Sequence, residues 1–266
     1  MRTLPILFLV LTATAASAQT RSPYLEDLTW PELRDAIAAG ATTAVIASGG
    51  IEQNGPHMAF IKHNLIARHV SGEVAKRLNG IAYPVIPFSM AGDPIEKTNH
   101  SRWPGTISIS SEVFVGLVRQ VAVAARAAGF KTIVLLGDHG GGTGGGQGEL
   151  ALVAQGLDAD WRGGGVRVVY ASNAGSGAAA TAYLKERNIA AGGHAGMAET
   201  AQIIALDEKK TLIRQDKYPV MAAGPDTATG AAPVNLAPAT VEMGRAFLEM
   251  KIADTVAQVR KALGAK

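Results

Sequence analysis

The chain has 266 residues, 47% of them hydrophobic and 18% charged, which is the composition of an ordinary globular protein. Its formal charge is +3 with no Lys/Arg cluster, which argues against a nucleic-acid partner. It has no cysteine, so neither disulfides nor a thiol nucleophile are available.

In chain order, the first predicted element is not part of the fold. Residues 1–18 carry a basic Arg2, an apolar run from Leu4 to Leu11 and the small residues Ala16-Ser17-Ala18. That pattern predicts a cleavable secretory signal, hence a periplasmic or secreted protein with no stable membrane anchoring after cleavage. The apolar run is short for a bilayer span. Residues 29–40 read as a helix with Thr29 as N-cap and Gly40 as stop. "TTAVIAS", 42–48, reads as a buried strand, and 64–80 as a helix capped by Asn64. "IAYPVIPF", 81–88, is a strand whose Pro84 argues for an edge or a bulge. Residues 110–130 form a long helix, with Phe114, Leu117, Val118 and Val121 at helical spacing. "KTIVLLG", 131–137, is a fully apolar strand; a helix over 147–161 and a strand over 166–172 follow. Residues 195–207 and 238–264 are helices, while 140–146 and 221–237 read as loops.

Strand, loop and helix in repetition predict an α/β fold with a mostly parallel sheet covered by helices on both faces. No composition break divides residues 19–266, so a single domain is expected, one that buries roughly 70–75% of its unfolded surface.

Ligands of such sheets bind outside the carboxyl ends of the strands. Three polar segments lie there: "GGIEQNGPHMAFIKHN" after strand 43–48, "GDHGGGTGG" after strand 131–136, and "GGHAGMAET" where a helix opens. They bring Glu52, His57, His63, Asp138, His139, His194 and Glu199, including four of the six histidines. Taken singly, each such residue is as readily a turn or cap residue. Together at the strand exits, carboxylates and imidazoles without thiols are a ligand set for Zn, Mn or Fe. His100, in "TNHSRWPGT", sits in another strand-exit loop within reach of the same crevice, whereas His69 lies inside a helix. Trp103, in the same loop, either covers a flat substrate or packs its own loop. The glycine run lacks the G-K-[ST] end of a phosphate loop, and no Gly-x-Ser-x-Gly elbow is present.

"EQNGPHMAFIKHN" resembles the creatininase family's E-Q-H-G-P-H-L-P-L-G-T-D, "LLGDHGGG" its N-G-H-G-G-N, and "HAGMAET" its H-A-G-E-x-E-T. The matches keep their order across residues 43–207. The resemblance implies a three-layer α/β/α sandwich, often a hexamer, whose members are metal-dependent amidohydrolases that open cyclic or linear C–N bonds of small molecules. It places the first ligand on Glu52, the glycine-motif histidine on His139, the substrate-side histidine on His194 and the later glutamate on Glu199. It also exposes departures. A family histidine falls on Asn54, the bridging aspartate on His63, a glycine on Asp138, and a glutamate ligand on Gly141. A neutral imidazole nitrogen cannot bridge two ions. One divalent ion is therefore expected, Zn or Mn with Fe as a third option and a second ion left open, held by a subset of Glu52, His63, Asp138, His139 and Glu199. His194, Glu199 and His57 are the expected catalytic groups; Trp103, His100 and Asn54 the expected substrate contacts. The altered ligands also fit a lactone hydrolase, lyase or isomerase using the metal as Lewis acid, or a degenerate metal-free binding protein.

Overall fold

The computed structural model describes residues 21–141, 148–224 and 230–264. The signal segment, most of the glycine run 140–146 and part of the stretch 221–237 lie outside the described residues. Four strands, β1 (Thr43–Ser48), β2 (Gly80–Ala82), β3 (Thr132–Gly137) and β4 (Arg167–Ala171), form one parallel sheet in the order β2-β1-β3-β4. The α-helices before, between and after them are α1 (Trp30–Ala38), α2 (Lys62–Arg77), α3 (Ser111–Ala128), α4 (Glu149–Trp161), α5 (Ala174–Glu186), α6 (Met197–Leu206), α7 (Tyr218–Ala223) and α8 (Val241–Ala262).

Alternation along each strand assigns the two faces. Ala44, Ile46, Ile133, Leu135 and Val168 point to α3 and α4, meeting Phe114, Val118, Leu150 and Leu157. Val45, Ala47, Val134, Leu136 and Val169 point the other way, to Ile66 and Val70 of α2, Ile203 of α6 and Ile252 of α8. This is the expected three-layer sandwich, with every strand apolar on both sides because both sides are covered. Fully burying one such side chain contributes about 1.5–3 kcal/mol. A third apolar cluster joins α5 through α8 around Met197, Met221 and Phe247. There α6 and α8 cross so closely that a Cβ on Gly244 would lie 2.0 Å from the Ala201 carbonyl oxygen, so only glycine fits. Among the described residues no helix is long and apolar enough to cross a membrane.

Thr29 caps its helix as expected, and two further helix ends carry recognisable caps. The Glu32 carboxylate accepts the Thr29 N–H at 2.7 Å, the Thr240 hydroxyl accepts the Met243 N–H at 3.1 Å, and Gly129 ends α3 at φ +107°. Three readings are corrected. Pro84 does not merely mark an edge: the ladder of β2, an outer strand of the sheet, stops at Ala82, and only isolated bonds such as Ile86 N to Ala47 O continue it. Helix α2 begins at Lys62, not after Asn64, which instead accepts the Gly50 N–H at 2.9 Å. Helix α5 was not expected, because its Ala/Gly-rich sequence buries only Ser176 and Leu184 and so has no apolar stripe to read.

Candidate metal centre

The early start of α2 decides the site. It places Lys62 and His63 in the first turn, pointing at the loop that leaves β1. That loop carries Glu52, with only 2% of its surface exposed. The loop leaving β3 carries His139. The two loops approach so closely that a Cβ on Gly50 would stand 2.6 Å from the His139 ring, which glycine alone avoids.

Glu52 is the hub. Its Oε1 lies 2.7 Å from His63 Nε2 and its Oε2 2.6 Å from His139 Nε2. His194 Nδ1 stands 3.4 Å from Oε1 and His100 Nε2 3.5 Å from Oε2. Glu52, His63 and His139 thus offer three ligand atoms within 4.8 Å of one another, and Glu52, His100 and His194 offer a second such group. These residues line, or lie beneath, a cleft of about 1310 Å³ whose wall includes His194, Glu199, His100, Trp103 and Arg102.

Hydrogen bonds fix the imidazoles. His63 Nδ1 lies 2.7 Å from Asp138 Oδ2 and its Nε2 2.7 Å from Glu52 Oε1, so the ring stands between two carboxylates and donates to both; an ion held at Nε2 would take the place of the proton shared with Glu52. A carboxylate behind the far nitrogen of a ligating histidine is the usual way such a ring is oriented. Asp138 is itself paired with Lys251 from α8. The Gly141 amide donates to His139 Nδ1 at 2.8 Å, which leaves that ring's proton on Nε2, toward Glu52. An ion held through Nε2 would put the ring's proton on Nδ1, in competition with the Gly141 amide. His194 Nε2 donates to the Gln53 carbonyl at 2.7 Å, leaving Nδ1 with its lone pair. The donor set, one carboxylate and two imidazoles, fits a borderline divalent ion such as Zn.

The electrostatics follow from burial and crowding. Burial opposes ionisation of Glu52, but the hydrogen bonds from His139 and His63 and the Lys62 charge outweigh it and hold the carboxyl far below its usual range. Burial likewise opposes ionisation of Glu199, and Lys62 overrides it, bringing Glu199 down to about 2. His194 is lowered to about 4, by burial first and by Lys62 second, so it is a neutral base at pH 7. In His63 the raising effect of Asp138 and Glu52 exceeds the lowering effect of burial and Lys62.

The structure brings together Glu52, His63, His139, His100, His194 and Glu199. Asp138 is in neither ligand group; it stands behind His63. Asp138→Asn is therefore expected to weaken metal binding by about ten- to a hundredfold rather than abolish it. Metal titration of the variant checks this, and complete loss of binding would return Asp138 to the ligand set. His57 does not line the crevice: it is fully buried, with Nε2 3.0 Å from the Thr200 hydroxyl. Asn54 is also buried, its amide donating to the carbonyls of Glu52 and Ala59 at 3.0 Å, so it shapes the loop and does not reach the cleft. Trp103 and His100 do line the cleft.

Sequence reasoning missed Lys62, Gln53 and Lys251. Gln53 accepts the Gly55 N–H through Oε1 and donates to Gly230 O and His100 Nδ1, at 2.9, 2.8 and 2.9 Å. A Gln directly after the hub glutamate was its signal. Lys251 had none, being brought from a helix more than a hundred residues away.

A family model described as creatinine amidohydrolase matches residues 26–259. The chain belongs to the creatininase family. Among curated creatininase relatives, a creatinine amidohydrolase of Pseudomonas putida is 25% identical over 120 residues, 45% of this chain and 46% of that one. A mycofactocin precursor peptide peptidase of Mycobacterium tuberculosis is 30% identical over 136 residues, 47% of this chain and 51% of that one. The chain thus spans about half the length of the curated relatives it matches. Solved creatininase structures agree in fold over most of the chain. A manganese form matches with TM-score 0.70 and 21% identity, covering 91% of this chain and 99% of that one. A Zn–Zn form of a creatininase variant matches equally, also with TM-score 0.70 and 21% identity over the same shares.

Proposed function

We propose that this chain is a metal-dependent amidohydrolase that hydrolyses a C–N bond of a small cyclic or linear amide. One observation carries the reading: Glu52, His63 and His139 converge from three separate segments on one point beneath a cleft at the strand ends. These three residues would hold the ion, Zn or Mn. A divalent ion there supplies a Lewis acid for the carbonyl and acidifies a water toward neutral pH.

The chain's own groups do the rest. Asp138 fixes the His63 ring. His194 is neutral and its lone pair on Nδ1 is aimed at the crowded centre, so it takes a proton from the attacking water and returns it to the leaving nitrogen. Glu199 is less free to do so, because its Oε2 already accepts from Lys62 at 2.8 Å and from the Ala195 amide at 2.6 Å; it orients instead. Trp103 and His100 bound the space where the acyl part of the substrate lies. The cleft exceeds the 300–1,000 Å³ typical of small-molecule sites, so short peptides belong in the substrate panel beside cyclic amides, linear amides and lactones.

Chelation is expected to lower the melting temperature and stop turnover, and Zn or Mn to restore both. An ion at a hundredfold excess over its dissociation constant stabilises by about 2.7 kcal/mol. Chelated and loaded samples that melt identically and carry no metal would overturn the reading. A metallated protein that cleaves lactones but no amide would move it to the ester class.

A further inference from the structure

The wall of the cleft holds a charge that the metal centre does not use. Arg102 is the only Lys or Arg among the described residues that line it, and it is exposed there. Every carboxylate of that lining is already engaged. Lys62 Nζ lies 3.3 Å from Glu52 Oε1 and 2.8 Å from Glu199 Oε2, and Lys251 pairs with Asp138. Asp93 Oδ1 accepts the Ile95 and Glu96 amides at 2.7 and 2.9 Å. The Arg102 guanidinium and the Asn99 side-chain amide, by contrast, have no hydrogen-bond or ion-pair partner among the described residues. These two residues open and close the 3-10 turn Asn99–Arg102. Side chains three apart on such a turn stand one above the other, and both line the cleft. The turn is held against the centre through His100. Its Nε2 lies 3.5 Å from Glu52 Oε2, the Gln53 amide donates to its Nδ1 at 2.9 Å, and the Thr106 hydroxyl donates to its carbonyl at 2.8 Å. Arg102 follows His100 by two residues, a backbone span of at most about 7.6 Å.

We propose that Arg102, with Asn99, receives a carboxylate of the substrate, so that the amide cleaved here is one that carries a free carboxylate near its scissile bond. The inference rests on the amidohydrolase reading of the same cleft. A guanidinium offers a planar fork that binds a carboxylate through two parallel N–H donors, and the Asn99 amide adds a further donor. A carboxylate fits better than a phosphate. Glu52, Asp138 and Glu199 stand in the same cleft and repel a doubly charged group more than a singly charged one. Trp103, next in the chain, lines the same wall and offers an apolar face to the carbon chain between the two ends of the substrate. Arg102 is thus a specificity-determining residue that takes no part in bond cleavage.

The test is calorimetric binding of matched acids to the full-length protein loaded with Zn and freed of loose ions. The probes are succinate, glutarate and adipate, each beside the monoacid of the same carbon count. A diacid can set one carboxylate at the centre and the other at Arg102; a monoacid cannot. In wild type at least one diacid should bind about ten- to a hundredfold tighter than its monoacid. Arg102→Leu should erase that gap, and Arg102→Lys, which keeps the charge but not the fork, should restore part of it. Asn99→Gly should narrow the gap, since the backbone at φ +45° suits glycine and only the amide is lost. Arg102 and Asn99 are in neither ligand group, so all forms should carry the same metal content, which also shows that they are folded. In metal-loaded protein, diacids no tighter than monoacids, or a gap that survives Arg102→Leu, overturns this proposal alone. So does tighter binding of the phosphonate analogue of the best diacid. Protein that takes up no metal overturns the amidohydrolase reading and this proposal with it.

Discussion

Glu52→Gln is expected to leave the protein without bound metal and with hydrolysis at background. Glu52 is the one carboxylate common to both ligand groups. Gln keeps the shape but cannot balance an ion's charge, and its amide turns a donor toward His63 or His139. The change also strips Lys62 of one of its two carboxylates inside the protein. Removing one partner of a buried ion pair costs about 3–5 kcal/mol, so the melting temperature should fall even in chelated protein. Metal content, thermal melts with and without chelator, and amide turnover check this together. A fully metallated and active Glu52→Gln protein would show that the ion sits elsewhere.

His194→Asn is expected to separate binding from chemistry. His194 belongs to no group with His63 and His139, so metal content should stay at the wild-type level. Loss of a neutral base with its lone pair aimed into the site should cut turnover by roughly two to four decades, the usual range for a lost general acid–base group. The fall should appear in kcat with little change in KM. His69→Asn, on α2 and outside both ligand groups, is the matched control and should change neither. If His194→Asn instead loses its metal, His194 is a ligand, and the proton carrier must be sought in Glu199.

Much of this was legible because it is local. The strands announce themselves as apolar runs, and Thr29 marks the start of α1 through its capping chemistry. Glu52, His139, His194 and Glu199 could be picked out because loops at the ends of parallel strands must converge. The direction of each side chain was not legible. His57 lies in the same loop as Glu52 yet turns into the packing beside Thr200 and Tyr218. Lys62 escaped notice because Ile61, the residue before α2, has no capping side chain, so nothing in the sequence marks where its first turn begins. The role of Asp138 depended on Lys251, whose approach is set by tertiary packing alone.

The order of the sheet has one further consequence. β1 and β3 are its two interior strands, each laddered by neighbours on both sides. Backbone of that kind exchanges its amide hydrogens only when the whole molecule opens. Glu52 and His139 begin four and two residues beyond the paired Ser48 and Gly137. The carboxylate and one imidazole of the centre are therefore mounted on the slowest-opening part of the chain. An ion held there would leave and return while its anchorage stays closed, so chelated protein is expected to keep the protection of its central strands.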